Sequence, residues 1–206
     1  GSQGKHASIN IVGAGPGGLT AAMLLARRGF KVRLFEKANR VGGRNAAILR
    51  NGYKFDVGPT FLMMKFILDE VFKEAGRNID DYLKLARLEP MYRLQFNDVR
   101  LEPTTQREAM LQQMDQAFPG NRDGYDRFMA AEKRRFELMY PCLLKDYSSF
   151  KQYFSKEFIK AAPNLSIGRS LIGVLGDYFK DEKLKLSFTF QSKYLGMSAW
   201  DCPGAF

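Results

Sequence analysis

The sequence predicts an α/β fold, and three features indicate it. First, residues 7–12 form a short apolar run suited to a buried parallel strand, although Ser8 and Asn10 interrupt it. Second, this run leads into "GAGPGG" and an apolar helical pattern that ends near Gly29. Third, "KVRLFEK" follows as a second strand that ends at Glu36. Strand, glycine turn, helix and strand in this order predict one βαβ unit.

Composition is that of an ordinary globular protein and excludes several enzyme classes. The 206 residues are 45% hydrophobic and 26% charged, enough for one large or two small domains. A formal charge of +10 favours phosphates, acidic lipid surfaces or nucleic acid as partners. Cys142 and Cys202 indicate neither a disulfide framework nor a zinc cluster, so a reducing compartment is expected. With His6 as the only histidine, metal catalysis and Ser-His or Cys-His catalysis lack their usual residues.

The amino terminus and the apolar runs give no targeting signal. No run approaches the roughly 18 to 20 apolar residues that span a bilayer, and the start lacks the layout of a secretion signal. Residues 1–6 resemble an expression remnant or a disordered lead-in.

The glycine-rich turn has the spacing of a dinucleotide site. Gly13, Gly15 and Gly18 match G-x-G-x-x-G: the first allows the tight turn, the second lets a pyrophosphate approach, and the third lets helix and strand pack closely. Glu36 can accept hydrogen bonds from both hydroxyls of an adenosine ribose and would repel a 2′-phosphate, which disfavours NADP. The unit favours adenine-dinucleotide binding over a purely structural turn, without separating NAD from FAD.

A second glycine pair indicates which dinucleotide binds. "NRVGGR" follows the second strand within a few residues, where a plain NAD dehydrogenase would begin its next crossover helix. Gly42 and Gly43 permit close approach to a ligand or a strained turn, and Arg40 and Arg44 can meet phosphate or polar flavin groups. A solvated basic turn is the structural alternative, and FAD is the prediction.

The stretch from Gly13 to Arg44 resembles the dinucleotide-binding start of the flavin amine oxidase and phytoene desaturase superfamily. The resemblance implies a Rossmann-like FAD-binding domain of the glutathione-reductase type. "NGYKFDVGPTFLM" is similar to the "FDxGPT" segment of bacterial-type phytoene desaturases, which runs alongside the flavin, although a strand-ending turn would look the same. The cofactor contacts that the resemblance implies are Gly13, Gly15, Pro16, Gly17, Gly18, Glu36, Lys37, Gly43, Arg44, Gly58, Pro59 and Thr60.

Later segments resemble the carotenoid branch of this superfamily, with less specificity. They are "LDEVFKEAGRNIDDYLKLARLEPMYRLQF" and "FQSKYLGMSAWDCPGAF". The resemblance implies desaturation of phytoene or a related polyene: FAD takes a hydride from an allylic carbon, a proton leaves the neighbouring carbon, and quinone or oxygen reoxidises the flavin. A carotenoid oxidase or oxygenase, a flavin amine or porphyrinogen oxidase, and a non-catalytic nucleotide-binding or membrane-binding fragment are the alternatives.

The rest of the chain is expected to be mostly helical. "FLMMKFILDEVFKEAG" predicts a helix ending at Gly76, and "MYRLQF", "ND" and "VRL" predict a hairpin. A helix with a capping box at Thr105 and a long charged helix perturbed at Pro141 follow. We expect a dinucleotide-binding domain with a β-ribbon over residues 7–104 and an inserted helical, substrate-binding domain over 105–206. Because family members are longer and complete their fold with a carboxy-terminal segment, the resemblance implies an incomplete, amino-terminal portion.

The stretch "SSFKQYFSKEFIKAAPNL" raises the question of a membrane surface. Taken alone, it favours an ordinary amphipathic helix with its aromatic residues in the core. The resemblance instead favours a membrane interface, because carotenoid desaturases collect water-insoluble polyenes, and it implies a cytoplasmic enzyme held peripherally at the inner face of the membrane. Nucleic-acid binding has no recognisable signature here. The residues concerned are Phe150, Tyr153, Phe154, Phe158, Lys151, Lys156 and Lys160.

No residue is clearly identified as the catalytic acid or base. Arg169 occupies about the place where the resembled desaturases carry an arginine near the substrate tunnel, and a fixed cation there could stabilise transient charge. A surface or helix-terminal arginine is the alternative. Asp177 and Asp201 are equally available.

Overall fold

The computed structural model describes residues 7–59 and 61–205, and it divides into two compact units. The first unit extends to Ala86 and the second begins at Arg87. Residues 1–6 and Thr60, one of the predicted cofactor contacts, lie outside the described residues. The domain boundary expected after residue 104 stays a prediction.

The first unit opens with the predicted βαβ arrangement. β1 (Ser8–Val12) and β2 (Lys31–Phe35) pair in parallel, and α1 (Pro16–Arg27) connects them. A proline suits the first position of α1, since its φ is already helical and its missing N–H would have no partner there. Gly29 has a φ of 91° just beyond the helix, the left-handed conformation that commonly ends a helix. Parallel strands joined by a helix confirm the α/β, Rossmann-like prediction.

The two strands bury one face and expose the other. Because side chains alternate along a strand, Ile9 and Ile11 share the half-buried face with Val32 and Leu34. A methyl group at Gly18 would lie 3.5 Å from the Ile11 side chain, so this face is the one that α1 covers. The opposite face leaves Val12 88% exposed.

The rest of the first unit consists of a tight turn, a hairpin and a helix. A 3₁₀ turn over Gly43–Asn45 precedes a hairpin of two short strands. The helix that follows the hairpin ends as predicted, with Gly76 at a φ of 72° just beyond it. The helix begins later than predicted, because Met64 has a left-handed φ of 56° immediately before it. The elements are β3 (Ile48–Arg50), β4 (Tyr53–Phe55), which pairs antiparallel with β3, and α2 (Lys65–Glu74).

The second unit contains the predicted hairpin and a set of helices around one core. A methyl group at Gly124 would lie 2.1 Å from the Tyr178 carbonyl oxygen, so this glycine allows the long helix to pack closely against the chain there. Phe179 is 1% exposed and stacks on Phe188 with ring centroids 4.9 Å apart. The elements are β5 (Leu94–Gln95), β6 (Arg100–Leu101), α3 (Arg107–Ala117), α4 (Arg122–Leu143), α5 (Lys156–Ala161), α6 (Leu171–Leu175), α7 (Glu182–Ser187) and α8 (Phe190–Leu195).

Two predicted features of the second unit are wrong. Thr105 does not cap α3; the N-cap is Gln106, and the Thr105 hydroxyl instead donates to Glu89 and accepts from Arg87. The aromatic stretch is not one helix, because Ser155 is extended, with a ψ of 149°. The Ser155 hydroxyl accepts from the Phe158 N–H and starts α5, which follows a separate 3₁₀ turn.

Other expectations concern membranes, metals and cysteines. Across residues 7–59 and 61–205, no helix combines the length and the apolar character needed to cross a bilayer. The same described residues contain no cluster of histidine, cysteine and acidic side chains that could hold a metal ion. Cys142 and Cys202 are both free and buried.

Candidate dinucleotide site

The site begins where the glycine-rich turn leaves β1. The Gly13 N–H donates to the Phe35 carbonyl oxygen over 2.7 Å, which ties the turn to the end of β2. Gly13 has a φ of 99°, a conformation that other residues rarely adopt. A methyl group at Gly18 would lie 1.9 Å from the Gly13 carbonyl oxygen. The first and third glycines therefore meet the steric demands expected of a tight turn and of close helix packing.

The amino terminus of α1 opens directly from this turn. Gly15 is the N-cap and Pro16 the first helical residue, so the N–H groups of the first turn have no partner within the helix. A methyl group at Gly17 would meet nothing within 4 Å, and one at Gly15 would meet only the Gly43 Cα, at 3.9 Å. Unpaired N–H groups and the positive end of the helix dipole make this open surface suitable for a phosphate.

Glu36 is held against the same turn. Its Oε2 accepts from the Ala14 N–H over 2.7 Å, and its Oε1 accepts from the Ala38 N–H over 2.8 Å. These bonds, to Ala38 first and then to Ala14, lower the pKa of Glu36, with a smaller contribution from Lys37. An ionised carboxylate has about four lone-pair sites, so Glu36 keeps the capacity to accept from ribose hydroxyls.

The second glycine pair lies directly against the first turn. The Gly42 N–H donates to the Ala14 carbonyl oxygen over 2.7 Å. Gly42 and Gly43 have φ values of 113° and 55°, and a methyl group at Gly43 would lie 3.0 Å from the Gly15 Cα. A bulkier side chain at Gly43 would push the two turns apart, so glycine at this position allows their contact.

The "VGPT" segment joins the same assembly through Gly58. A methyl group there would lie 2.2 Å from the Arg44 carbonyl oxygen. The guanidinium of Arg44 is exposed and forms no ion pair with any carboxylate of the described residues, which leaves it available to an anion. Lys37 and Pro59 are also exposed, next to Glu36 and Gly58 in the chain.

Two residues of this assembly were not on the predicted list of contacts. Ala14 is fully buried, and its N–H and carbonyl oxygen connect Glu36 to Gly42. The position of Ala14 between the first two glycines could have indicated this role, because peptide groups in the middle of a tight turn lie close to neighbouring segments. The sequence predicts that Gly42 permits close approach to a ligand or a strained turn, but its hydrogen bond to the first turn joins residues distant in sequence.

Arg169, the weak catalytic candidate, is engaged in a structural contact in the second unit. Its guanidinium donates to both oxygens of Asp177, over 2.6 and 2.9 Å, and to the Gly173 carbonyl oxygen over 2.8 Å. The ion pair lowers the pKa of Asp177. Asp201 accepts from the Ser198 hydroxyl over 2.6 Å. A catalytic role for any of them stays a prediction.

The aromatic and basic stretch contains one half-buried ring, Phe158, and exposed rings. Phe158 packs against Tyr147 and Tyr153 with ring centroids 6.1 and 5.3 Å away. Phe150 and Phe154 are 80% and 70% exposed, and the three lysines of the stretch are exposed as well. Exposed rings beside lysines satisfy the geometric requirement for an interfacial surface.

The sequence matches known proteins in the same region as this geometry. Residues 11–73 match the family described as an NAD(P)-binding Rossmann-like domain. A solved Rab GDI from Plasmodium falciparum is similar over 98% of this chain and 48% of its own, with a TM-score of 0.49 and 11% identity, too low to support an argument.

Curated relatives match almost the whole chain. A 4,4′-diapophytoene desaturase (4,4′-diapolycopene-forming) from Methylomonas sp is 50% identical over 98% of this chain and 39% of its own length. A zeta-carotene-forming phytoene desaturase from Myxococcus xanthus is 34% identical, over 100% of this chain and 40% of its own length. The chain thus spans about two fifths of the length of these relatives. Taken with the dinucleotide-binding turn, these matches show that the chain is similar to the amino-terminal portion of bacterial-type carotenoid desaturases.

Proposed function

We propose that this chain is the amino-terminal, dinucleotide-binding portion of an FAD-dependent desaturase of carotenoid biosynthesis, acting on phytoene or a related long polyene. Relatives at 50% and 34% identity carry desaturase names, which supports the reaction. We further propose that the helical tract from residue 105 is a substrate-binding domain inserted into the FAD-binding fold, which other parts of the full-length protein complete.

The choice of FAD rests on the contact between the two glycine turns. Because Gly42 donates to Ala14 and Gly43 touches Gly15, a ligand seated on the first turn lies within reach of the segment that carries Arg44. A dinucleotide that needs contacts beyond its ADP half would use this second turn. The residues of this site fit FAD, since the open surface at Gly15 and Gly17 can accept its pyrophosphate and Glu36 is hydrogen-bonded to the same turn.

Each element of the site has a distinct role in this proposal. The N–H groups at the start of α1 bind the pyrophosphate, and the ionised Glu36 orients the ribose and excludes a 2′-phosphate. Arg44 neutralises charge on the cofactor, and the segment around Gly58 covers it. FAD, when bound, supplies the acceptor for the hydride that leaves an allylic carbon of the polyene, with quinone or oxygen as the final electron acceptor.

Exposed rings in the second unit support delivery of the substrate from a membrane. Phe150 and Phe154 can enter the acyl boundary while Lys151 and Lys156 meet lipid phosphates. We therefore place the enzyme peripherally on the inner face of the cytoplasmic membrane.

Product analysis of the full-length protein tests this function. The protein is incubated with phytoene, and separately with 4,4′-diapophytoene, in liposomes, with amine substrates in a parallel reaction. We expect new conjugated double bonds in a polyene and no amine oxidation. Amine oxidation without polyene desaturation would assign the chain to the amine oxidase branch, and flavin binding without either activity would favour a non-catalytic module.

A further inference from the structure

The second unit contains a cavity of about 450 Å³ bounded by one side of α4. This volume falls within the range of about 300–1,000 Å³ typical of small-molecule sites. Tyr125, Phe128, Glu132 and Arg135 recur at spacings of three and four along α4 and line it together. Most other lining side chains are apolar, among them Leu171 of α6.

Glu132 is the acidic member of this wall, and it accepts no hydrogen bond from the described residues. Its side chain is 31% exposed, and its Oε1 lies 3.3 Å from the Arg135 Nη2 without hydrogen-bond geometry. Burial raises the pKa of Glu132, and the Arg135 charge opposes that effect. The buried Oε1 thus has the Arg135 charge beside it but lacks a hydrogen bond that would stabilise its own charge.

Arg135 donates to the protein through two of its three guanidinium nitrogens, whereas its buried Nε has no hydrogen-bond partner among the described residues. Its Nη1 donates to the Gly204 carbonyl oxygen over 2.5 Å, and its Nη2 donates to the Ser166 hydroxyl over 3.2 Å. Only 11% of its side chain is exposed. The pair therefore offers a ligand hydroxyl an acceptor, the Glu132 Oε1, and a donor, the Arg135 Nε.

Three serine and threonine hydroxyl groups that line the cavity already have partners. Ser187 donates to the Lys183 carbonyl oxygen, Thr105 donates to Glu89, and the Thr104 hydroxyl accepts from the Gln106 N–H. On the α4 wall, Glu132 forms an ion pair with Arg135 but accepts no hydrogen bond from the described residues.

We propose that this cavity binds an isoprenoid alcohol, with the ligand hydroxyl donating to Glu132 and the apolar chain lying against Phe128 and Leu171. The isoprenoid skeleton rests on the proposed function, whereas the alcohol group follows from Glu132 itself. A hydrocarbon would leave the carboxylate without a donor. A carboxylic acid would place a second negative charge beside Glu132, and an amine would place its positive charge near Arg135.

Competitive binding to the full-length protein tests the proposal without any oxidation step. Tritiated farnesol is bound at equilibrium in a fixed low concentration of detergent, and unlabelled farnesol, farnesene and farnesoic acid compete for it. The quantity measured is the ratio of farnesene to farnesol dissociation constants, compared between variants so that differences in ligand solubility cancel. Circular dichroism confirms that each variant is folded.

We expect the wild-type ratio to exceed that of Glu132→Leu by about tenfold, because a hydrogen bond to a charged group is lost. Glu132→Gln keeps the shape and an amide oxygen and should give an intermediate ratio. Glu137→Leu is the matched control, since Glu137 is an exposed glutamate of the same helix, and it should match wild type.

Three results would overturn the proposal: no displacement of farnesol by any competitor, an equal ratio in wild type and both Glu132 variants, or tighter binding of farnesoic acid than of farnesol. Failure of the proposed function would look different, because it would leave the protein without FAD or desaturation while these ratios stayed as expected.

Discussion

Replacing Gly18 with alanine tests whether the third glycine is required by the protein itself. The new methyl group would lie 1.9 Å from the Gly13 carbonyl oxygen, about 1.5 Å short of ordinary contact, and α1 would have to move away from β1. Overpacking of this kind costs about 1–3 kcal/mol. Gly17→Ala is the matched control in the same turn, where the methyl group meets nothing within 4 Å and alanine improves helix propensity by up to about 1 kcal/mol.

Hydrogen exchange of the α1 amides, followed by mass spectrometry in the cofactor-free full-length protein, measures this local stability. Since each 1.4 kcal/mol is a factor of ten, Gly18→Ala should speed exchange by roughly 5-fold to 150-fold, while Gly17→Ala should not. Equal exchange in Gly18→Ala and wild type would refute the packing argument.

Gly15→Ala tests ligand binding rather than packing. Its methyl group would lie 3.9 Å from the Gly43 Cα, so the fold should tolerate it while dinucleotide binding falls.

Three further predictions follow from named contacts. Glu36→Gln should weaken binding of ADP-ribose about tenfold, measured by calorimetry, and unchanged affinity would exclude a ribose contact. The N–H groups of Ala38 and Ala14 lower the folded-state pKa of Glu36, so its contribution to stability is fully present above the unfolded value of about 4.5 and is lost as pH falls through the lower folded value. The difference in urea midpoint between wild type and Glu36→Gln should therefore shrink on acidification. A difference that grew on acidification would contradict a lowered folded-state pKa for Glu36. Replacing Phe150 and Phe154 together by serine should reduce co-sedimentation with anionic liposomes by about tenfold, and no reduction would remove these rings from the membrane surface.

The first βαβ unit could be predicted from the sequence because its determinants are local. The strand period, the glycine spacing and the cap at Gly29 all act within a few residues of where they occur, and the structure places them as expected. The contact of Gly42 with Ala14 could not be derived in this way, since it joins residues 28 positions apart through a backbone hydrogen bond. Only the unusual freedom of a glycine pair indicated that another segment would approach closely.

The aromatic stretch shows where local patterns mislead. Its apolar spacing suits one continuous helix, but Ser155 can either continue a helix or cap a new one. In the structure its hydroxyl accepts from the Phe158 N–H, which ends the 3₁₀ turn and starts α5. The break turns Phe158 toward Tyr147, while Phe150 remains exposed. The sequence is compatible with one continuous helix and with a 3₁₀ turn followed by α5, and tertiary packing determines which of them forms.

Glu132 shows a different limit. Its spacing on α4 places it on the same side as Tyr125 and Phe128, a signal that was present in the sequence. A glutamate at that spacing most often lies at the edge of a core and remains solvated. Only the structure shows that its carboxylate lies in a cavity wall without a hydrogen-bond donor from the described residues.

Release of the cofactor from the full-length protein tests the central claim most directly. The purified protein is denatured, and the released nucleotide is identified by chromatography and mass spectrometry and quantified per chain. The close approach of Gly43 to Gly15 and the hydrogen bond from Ala14 to Glu36 predict FAD, in about one copy per chain, and its loss in Gly15→Ala. Release of NAD or NADP in place of FAD, or of no nucleotide at all from a folded protein, would contradict the account.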